Sequence, residues 1–135
     1  MTTFDVFTLA RTIWGEAPGE PMAGKLAVGW VARNRLAARR WFSAAGLAEV
    51  CQKPSQFACW TMGDPDRPKL LRLTLDDADF QDCMYAALAV MRGHAPDPTD
   101  GATHYHAAAL PPPDWAAGHV PCAAIGAHLF YRGVA

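Results

Sequence analysis

Glutamate is scarce in this chain: Glu16, Glu20 and Glu49 are the only three in 135 residues. Serine is scarcer still, with only Ser43 and Ser55, and neither lies in a nucleophile elbow. No Cys-x-x-Cys pair occurs, which argues against a structural zinc knuckle. No phosphate-cradling glycine loop, dinucleotide fingerprint or P-loop is present. Apolar stretches are cut by Arg, Gly or Pro well before the ~18 residues a bilayer span requires, so no membrane insertion is expected. The opening Met-Thr-Thr-Phe-Asp leads straight into an amphipathic pattern, without the basic and apolar regions of a secretory signal. The protein is therefore expected either to stay inside the cell or to leave it by another route. Net charge is also lacking, at -1 with pI ≈ 6.5, which excludes a nucleic-acid binder held by bulk charge.

What is present fits one folded domain over residues 1–135. The composition is 51% apolar and 19% charged, enough to build a core and inconsistent with disorder. Charge is uneven. Residues 1–60 carry seven Lys and Arg against four Asp and Glu, and residues 61–135 carry five against nine. The basic stretch from Arg33 to Arg40 reads as a solvated helix face, with an anionic polymer ligand as the sharper alternative. Cys83 falls in a helical apolar pattern and reads as a buried thiol. Cys51, Cys59 and Cys122 lie in loop-rich segments where a disulfide is possible, with the pairing left open.

Spacing predicts a mainly helical α+β protein. Phe4, Phe7, Ala10, Ile13 and Trp14 form the stripe of a helix over 3–14, capped by Thr3 and stopped by Gly15-Glu16-Ala17-Pro18-Gly19. A second helix is expected over 21–38, opening at Pro21, with Asn34 continuing an apolar face. Its Gly24 and Gly29 suggest close packing of a neighbour. A short third helix is expected near 44–51, then a long loop over 52–73 that holds the aromatic string Gln56-Phe57-Ala58-Cys59-Trp60. The clearest helix covers 75–92, with Thr74 and Asp77 resembling a capping box and Gly93 ending it. Beyond it, prolines exclude a long helix, and 103–106 and 128–131 read as two short strands.

Glu16 ends the first helical stripe, two residues after Trp14. A carboxyl held against an aromatic surface loses hydration, which favours its protonated form and suits a general acid for a glycosidic oxygen. The plainer reading is that Glu16 caps a turn. Glu20, just before Pro21, reads as a helix-start residue, with a second carboxylate role as the alternative. His104 and His106 share one strand face. Two histidines are a half-site at most, so neither metal nor cofactor is expected. His128 reads as structural. A thiol nucleophile at Cys51 or Cys59 is a minor alternative. Phe57, Trp60, Tyr105, Trp115 and Tyr131 stand outside the helical stripes. Together they suggest a groove whose flat rings stack on sugars.

These residues resemble the SleB-type cell-wall hydrolases, also called spore-cortex-lytic enzymes. The likeness runs from Leu9-Ala10-Arg11-Thr12-Ile13-Trp14-Gly15-Glu16-Ala17-Pro18-Gly19-Glu20-Pro21 through Asn34-Arg35 and Pro54-Ser55-Gln56-Phe57-Ala58-Cys59-Trp60. It continues in Asp97-Pro98-Thr99-Asp100-Gly101-Ala102-Thr103-His104-Tyr105-His106 and Ile125-Gly126-Ala127-His128-Leu129-Phe130-Tyr131. Pro18 stands where the commonest family block has Arg. The resemblance implies a lysozyme-like fold and cleavage of peptidoglycan between N-acetylmuramic acid and N-acetylglucosamine by lytic transglycosylation. It implies Glu16 as the catalytic acid. Beside it, Glu20, Asn34, Gln56, Phe57, Trp60, His104, Tyr105 and Tyr131 are our own candidates for binding substrate or orienting the acid. Peptidoglycan is then the expected partner of a monomer. A lone catalytic domain of this kind resembles an endolysin of a phage or gene-transfer element. A hydrolytic muramidase using Glu16 and Glu20 and a non-catalytic wall-binding module are the rivals.

Overall fold

The computed structural model describes residues 2–38, 46–53 and 56–134. Helix α1 covers Thr3–Glu16 and is capped one residue earlier than spacing suggests. Thr2 Oγ1 accepts from the Asp5 N–H at 3.1 Å, and Asp5 Oδ2 accepts from the Thr2 N–H at 2.9 Å. Two donors otherwise left over at the helix start are thereby satisfied. Helix α2 runs Met22–Ala38 and follows Pro21, whose carbonyl accepts from Gly24 and Lys25. Helix α3 is Leu47–Gln52; the expected start near 44 lies outside the described residues. The Asp5 carboxylate reaches it too, accepting from the Ala48 N–H at 2.9 Å.

The expected loop over 52–73 carries structure of its own. A 3-10 turn covers Ala58–Trp60, and the short helix α4 covers Arg67–Leu70, with Pro68 in its first turn. Leu70 is fully buried, and its carbonyl accepts from Arg11 Nε at 3.0 Å. One apolar side chain and one long-range bond anchor this segment where periodicity is too short to reveal a helix.

Helix α5 covers Ala78–Arg92, three residues later than spacing predicts. Thr74 and Asp77 do pair, the Thr74 N–H donating to Asp77 Oδ2 at 2.9 Å, but they close a separate turn ahead of the helix. Gly93 ends it at φ 69. Helices α1, α2 and α5 pack together around Leu9, Ile13, Val28, Val31, Phe80 and Val90, all without exposed surface. Burying each such side chain contributes roughly 1.5–3 kcal/mol. At Gly29 an added Cβ would sit 3.0 Å from Val90 Cγ2 and 3.3 Å from Ile13 Cδ1, so α2 crosses its neighbours at the glycine, as expected.

Strands β1 (His104–Ala107), β2 (Ala123–Ile125) and β3 (His128–Tyr131) form an antiparallel sheet in the order β1-β3-β2. Two strands are legible in the sequence. The third, Ala-Ala-Ile, is too short and too poor in β-formers to stand out. Register pairs Tyr105 with Phe130 and Ala107 with His128, placing Tyr105, Phe130 and His128 on one face. That face joins the helical core through Phe130, which is fully buried. The opposite face carries His104, His106, Leu129 and Tyr131, and Trp115 packs there against Tyr131. The architecture is the expected α+β, mainly α, arrangement.

Candidate active site

Glu16 is the last residue of α1 and sits where the helices meet the sheet. The C-terminal end of a helix surrounds such a carboxyl with partial negative charge. Two donors fix its direction. The Tyr105 hydroxyl donates to Oε1 at 2.5 Å, and the Cys59 N–H donates to Oε2 at 3.2 Å. One oxygen is held from β1 and the other from the 3-10 turn. Gly15 makes the second contact possible, because a Cβ there would lie 2.6 Å from Cys59 Cβ and 3.1 Å from Leu70 Cδ2.

The aromatic surface against Glu16 is Tyr105 rather than Trp14. Residues two apart on a helix point to opposite sides. Trp14 instead lines a cleft with Glu20, Lys25 and Asp79. Loss of water around Tyr105, then the charge and hydrogen bond of Glu16, push its phenol well above the ordinary range. Tyr105 is thus a neutral donor at any physiological pH.

Arg35 is buried beneath this group. Its Nε donates to the Thr103 carbonyl at 2.7 Å, its guanidinium donates to the Gln56 carbonyl at 2.9 Å, and its Cζ lies 4.6 Å from the centre of the Phe57 ring. Burial lowers its pKa, and the nearby Tyr105 and Glu16 act in the opposite sense. One side chain thereby clamps the strand entry and the aromatic segment together.

Glu20, in the loop after α1, reaches the turn between β2 and β3. Its Oε1 accepts from the Ala127 N–H at 2.8 Å and lies 3.0 Å from His128 Nδ1. Its main-chain oxygen also accepts from Lys25 Nζ.

The cell wall hydrolase profile matches residues 19–131. The chain belongs to the cell wall hydrolase family. Its class is therefore that of a peptidoglycan-degrading enzyme. The match begins three residues after Glu16 and takes in Glu20, Arg35, Cys59 and Tyr105. Two solved structures share the fold. The catalytic domain of the Bacillus cereus SleB protein is 24% identical with a TM-score of 0.73, covering 97% of this chain and 91% of that one. The catalytic domain of the germination-specific lytic transglycosylase SleB from Bacillus anthracis is 24% identical with a TM-score of 0.72, covering 98% and 97%. The expected lysozyme-like fold rests on that likeness. No curated protein sequence matches significantly.

Within this cell wall hydrolase the remaining candidates scatter. Asn34, on α2, reaches the loop after α5, its Nδ2 donating to Asp97 Oδ2 and to the Ala102 carbonyl, both at 2.9 Å. Gln56 is held through its carbonyl by Arg35. Phe57 is 2% exposed and Tyr131 4%, so neither offers a free face to a sugar. The groove suggested by those rings is reduced accordingly. Trp60 is half-buried and donates its Nε1–H to Thr12 Oγ1 at 2.8 Å. His104 lies on the sheet face opposite Tyr105, against Trp115, with ring centroids 5.0 Å apart. Burial first, then Arg35 and His119, lower its pKa to about 4, so it is neutral at pH 7. His106 Nε2 lies 2.8 Å from the Tyr131 hydroxyl.

Among the described residues no group of three or more His, Cys, Asp or Glu stands together as a metal site. No helix among them is long and apolar enough to cross a membrane. All four cysteines are free thiols, so the disulfide entertained for Cys51, Cys59 or Cys122 is absent. Cys83 is buried, as its apolar pattern implies. Sequence reasoning passed over the Cys59 N–H and Arg35, whose roles depend on partners with no local sequence signal.

Proposed function

We propose that Glu16 is the general acid, and then the base, of a lytic transglycosylase acting between N-acetylmuramic acid and N-acetylglucosamine. The carrying observation is the fixed carboxyl of Glu16, held at one oxygen by Tyr105 and at the other by the Cys59 N–H. A proton donor works only when held in the direction of the oxygen that receives the proton.

The chemistry then balances with one carboxyl. Protonated Glu16 gives its proton to the glycosidic oxygen as that oxygen leaves the muramyl C1. The 2-acetamido group stabilises the oxocarbenium-like centre. The Glu16 carboxylate next removes the proton of the muramyl 6-hydroxyl. That oxygen bonds to C1 and closes a 1,6-anhydro ring. No water is consumed, and Glu16 ends protonated as it began.

Two-carboxylate glycosidases place the second group about 5–5.5 Å or 6.5–9.5 Å from the first. Glu20, the neighbouring glutamate in the chain, is engaged by Ala127 and His128, which favours the one-carboxylate route. The Bacillus anthracis relative is described as a lytic transglycosylase, which supports the same choice. The polymer's own location puts the site of action in the periplasm or cell wall.

Mass spectrometry of the soluble products from purified sacculi tests this, with wild type and Glu16→Gln side by side. Anhydro-muramyl fragments from wild type, reduced about 10²–10⁴-fold in the variant, are expected. Reducing-end muramyl products would make water the nucleophile and overturn the transglycosylase reading. Peptide products alone would overturn glycan cleavage altogether.

A further inference from the structure

The Glu20 carboxyl organises a turn. Its Oε1 accepts from the Ala127 N–H at 2.8 Å and lies 3.0 Å from His128 Nδ1, and the two side chains are only 10% and 14% exposed. Gly126, at φ +56, leaves room for it: a Cβ there would lie 2.6 Å from each carboxyl oxygen. The β2–β3 turn is thus wrapped around a residue from the loop that follows Glu16.

The contact continues inward. The His128 ring meets Tyr105 edge-on, with centroids 5.2 Å apart and planes at 89°. Phe130 packs on the same tyrosine, with centroids 5.7 Å apart. The Tyr105 hydroxyl reaches Glu16 Oε1. Glu20, His128, Tyr105 and Glu16 therefore form one continuous series joining the two glutamates of Gly15-Glu16-Ala17-Pro18-Gly19-Glu20 through the sheet.

We propose that Glu20 and His128 are positioning residues, fixing the Tyr105 ring and through it the direction of the Glu16 carboxyl. This rests on the reading of Glu16 as the acid. Phe130, fully buried, packs on one side of the ring, and His128 meets it from another. The imidazole is itself held by the Glu20 acceptor. Nothing in this arrangement requires charge on Glu20. An amide oxygen accepts from the Ala127 N–H and from His128 as a carboxylate does. A carboxylate acting on water would behave differently, because an amide cannot take a proton there.

The test is turnover on purified sacculi by Glu20→Ala, Glu20→Gln, His128→Ala and His128→Asn, alone and in a Tyr105→Phe background. Glu20→Ala and His128→Ala are expected to lower kcat about 10- to 100-fold, the scale of a misplaced catalytic group, with KM within about twofold. Glu20→Gln is expected to restore most of the rate. Neither alanine substitution is expected to lower kcat further once Tyr105 is Phe. If an alanine variant fails to fold, His128→Asn decides, because it can still donate to Glu20 yet removes the ring from Tyr105. It is expected to lose kcat while its melting temperature stays near wild type.

A Glu20→Gln as inactive as Glu20→Ala would overturn the proposal and make the carboxylate a reacting group. Full losses persisting in the Tyr105→Phe background, or no loss in the single variants, would overturn it too. A wild type that releases no glycan fragments would instead sink the reading of Glu16.

Discussion

The Tyr105 hydroxyl and Glu16 Oε1 stand 2.5 Å apart across 89 positions of sequence, one in β1 and the other at the end of α1. Hydrogen bonds to ionisable groups contribute about 1.5–3 kcal/mol, more than neutral ones. Tyr105→Phe keeps the ring against Phe130 and His128 and removes only the hydroxyl. It is expected to lower kcat about 10- to 100-fold, by that energy range, with KM nearly unchanged. Steady-state release of soluble fragments from sacculi measures both. A change confined to KM would mean that Tyr105 serves to hold sugar rather than to position Glu16.

Gly15 is expected to resist substitution despite lying in a helix. Alanine there would gain about 1 kcal/mol in helix propensity. Its Cβ, however, would fall 2.6 Å from Cys59 Cβ and 2.9 Å from Cys59 Sγ, atoms next to the N–H that holds Glu16. Overpacking of this kind costs about 1–3 kcal/mol. Gly15→Ala should therefore melt at a lower temperature and lose turnover together. An unchanged melting temperature would show that the 3-10 turn yields without cost.

The helices were legible because apolar residues recur at three and four along α1, α2 and α5, and their faces do build the core. Thr2 took the capping role expected of Thr3 because Asp5 is the residue within reach on both sides of the exchange. Glu16 stands out as a candidate from its motif, but its surroundings do not. The donors Tyr105 and Cys59 lie 89 and 43 positions away, and no local pattern reports such pairings. Trp14 misled because proximity along a helix is not proximity in space. Phe57 and Tyr131 misled because a residue outside a helical stripe can still be core when a loop or a sheet folds over it.

Asn34 and Asp97 give a pH prediction of definite sign. Burial alone would raise the Asp97 pKa, but bonds from Asn34, Thr99 and the Gly101 N–H outweigh it and lower the value. A depressed carboxyl contributes stability that is present above its unfolded pKa and lost as pH falls through the folded one. The contribution should hold at pH 7 and fade below about pH 4, near the ordinary aspartate value. Asn34→Ala should cost about 1 kcal/mol at neutral pH, allowing for partial exposure. The gap to wild type should narrow at pH 3. Urea unfolding at the two pH values measures it, and a gap that widened in acid would contradict the assignment.

Thiol chemistry should be dispensable. Burial pushes Cys51 up to about 12 and Cys83 up to about 11. Burial and the nearby Glu16 charge push Cys59 up as well. A nucleophilic cysteine requires the opposite, a thiolate stabilised by neighbouring positive charge. Native enzyme treated with iodoacetamide at pH 8 is therefore expected to keep its activity on sacculi. Mass spectrometry should find these three buried sites unmodified until the chain is unfolded. Loss of activity matched to alkylation of Cys59, whose N–H bonds Glu16, would reverse this.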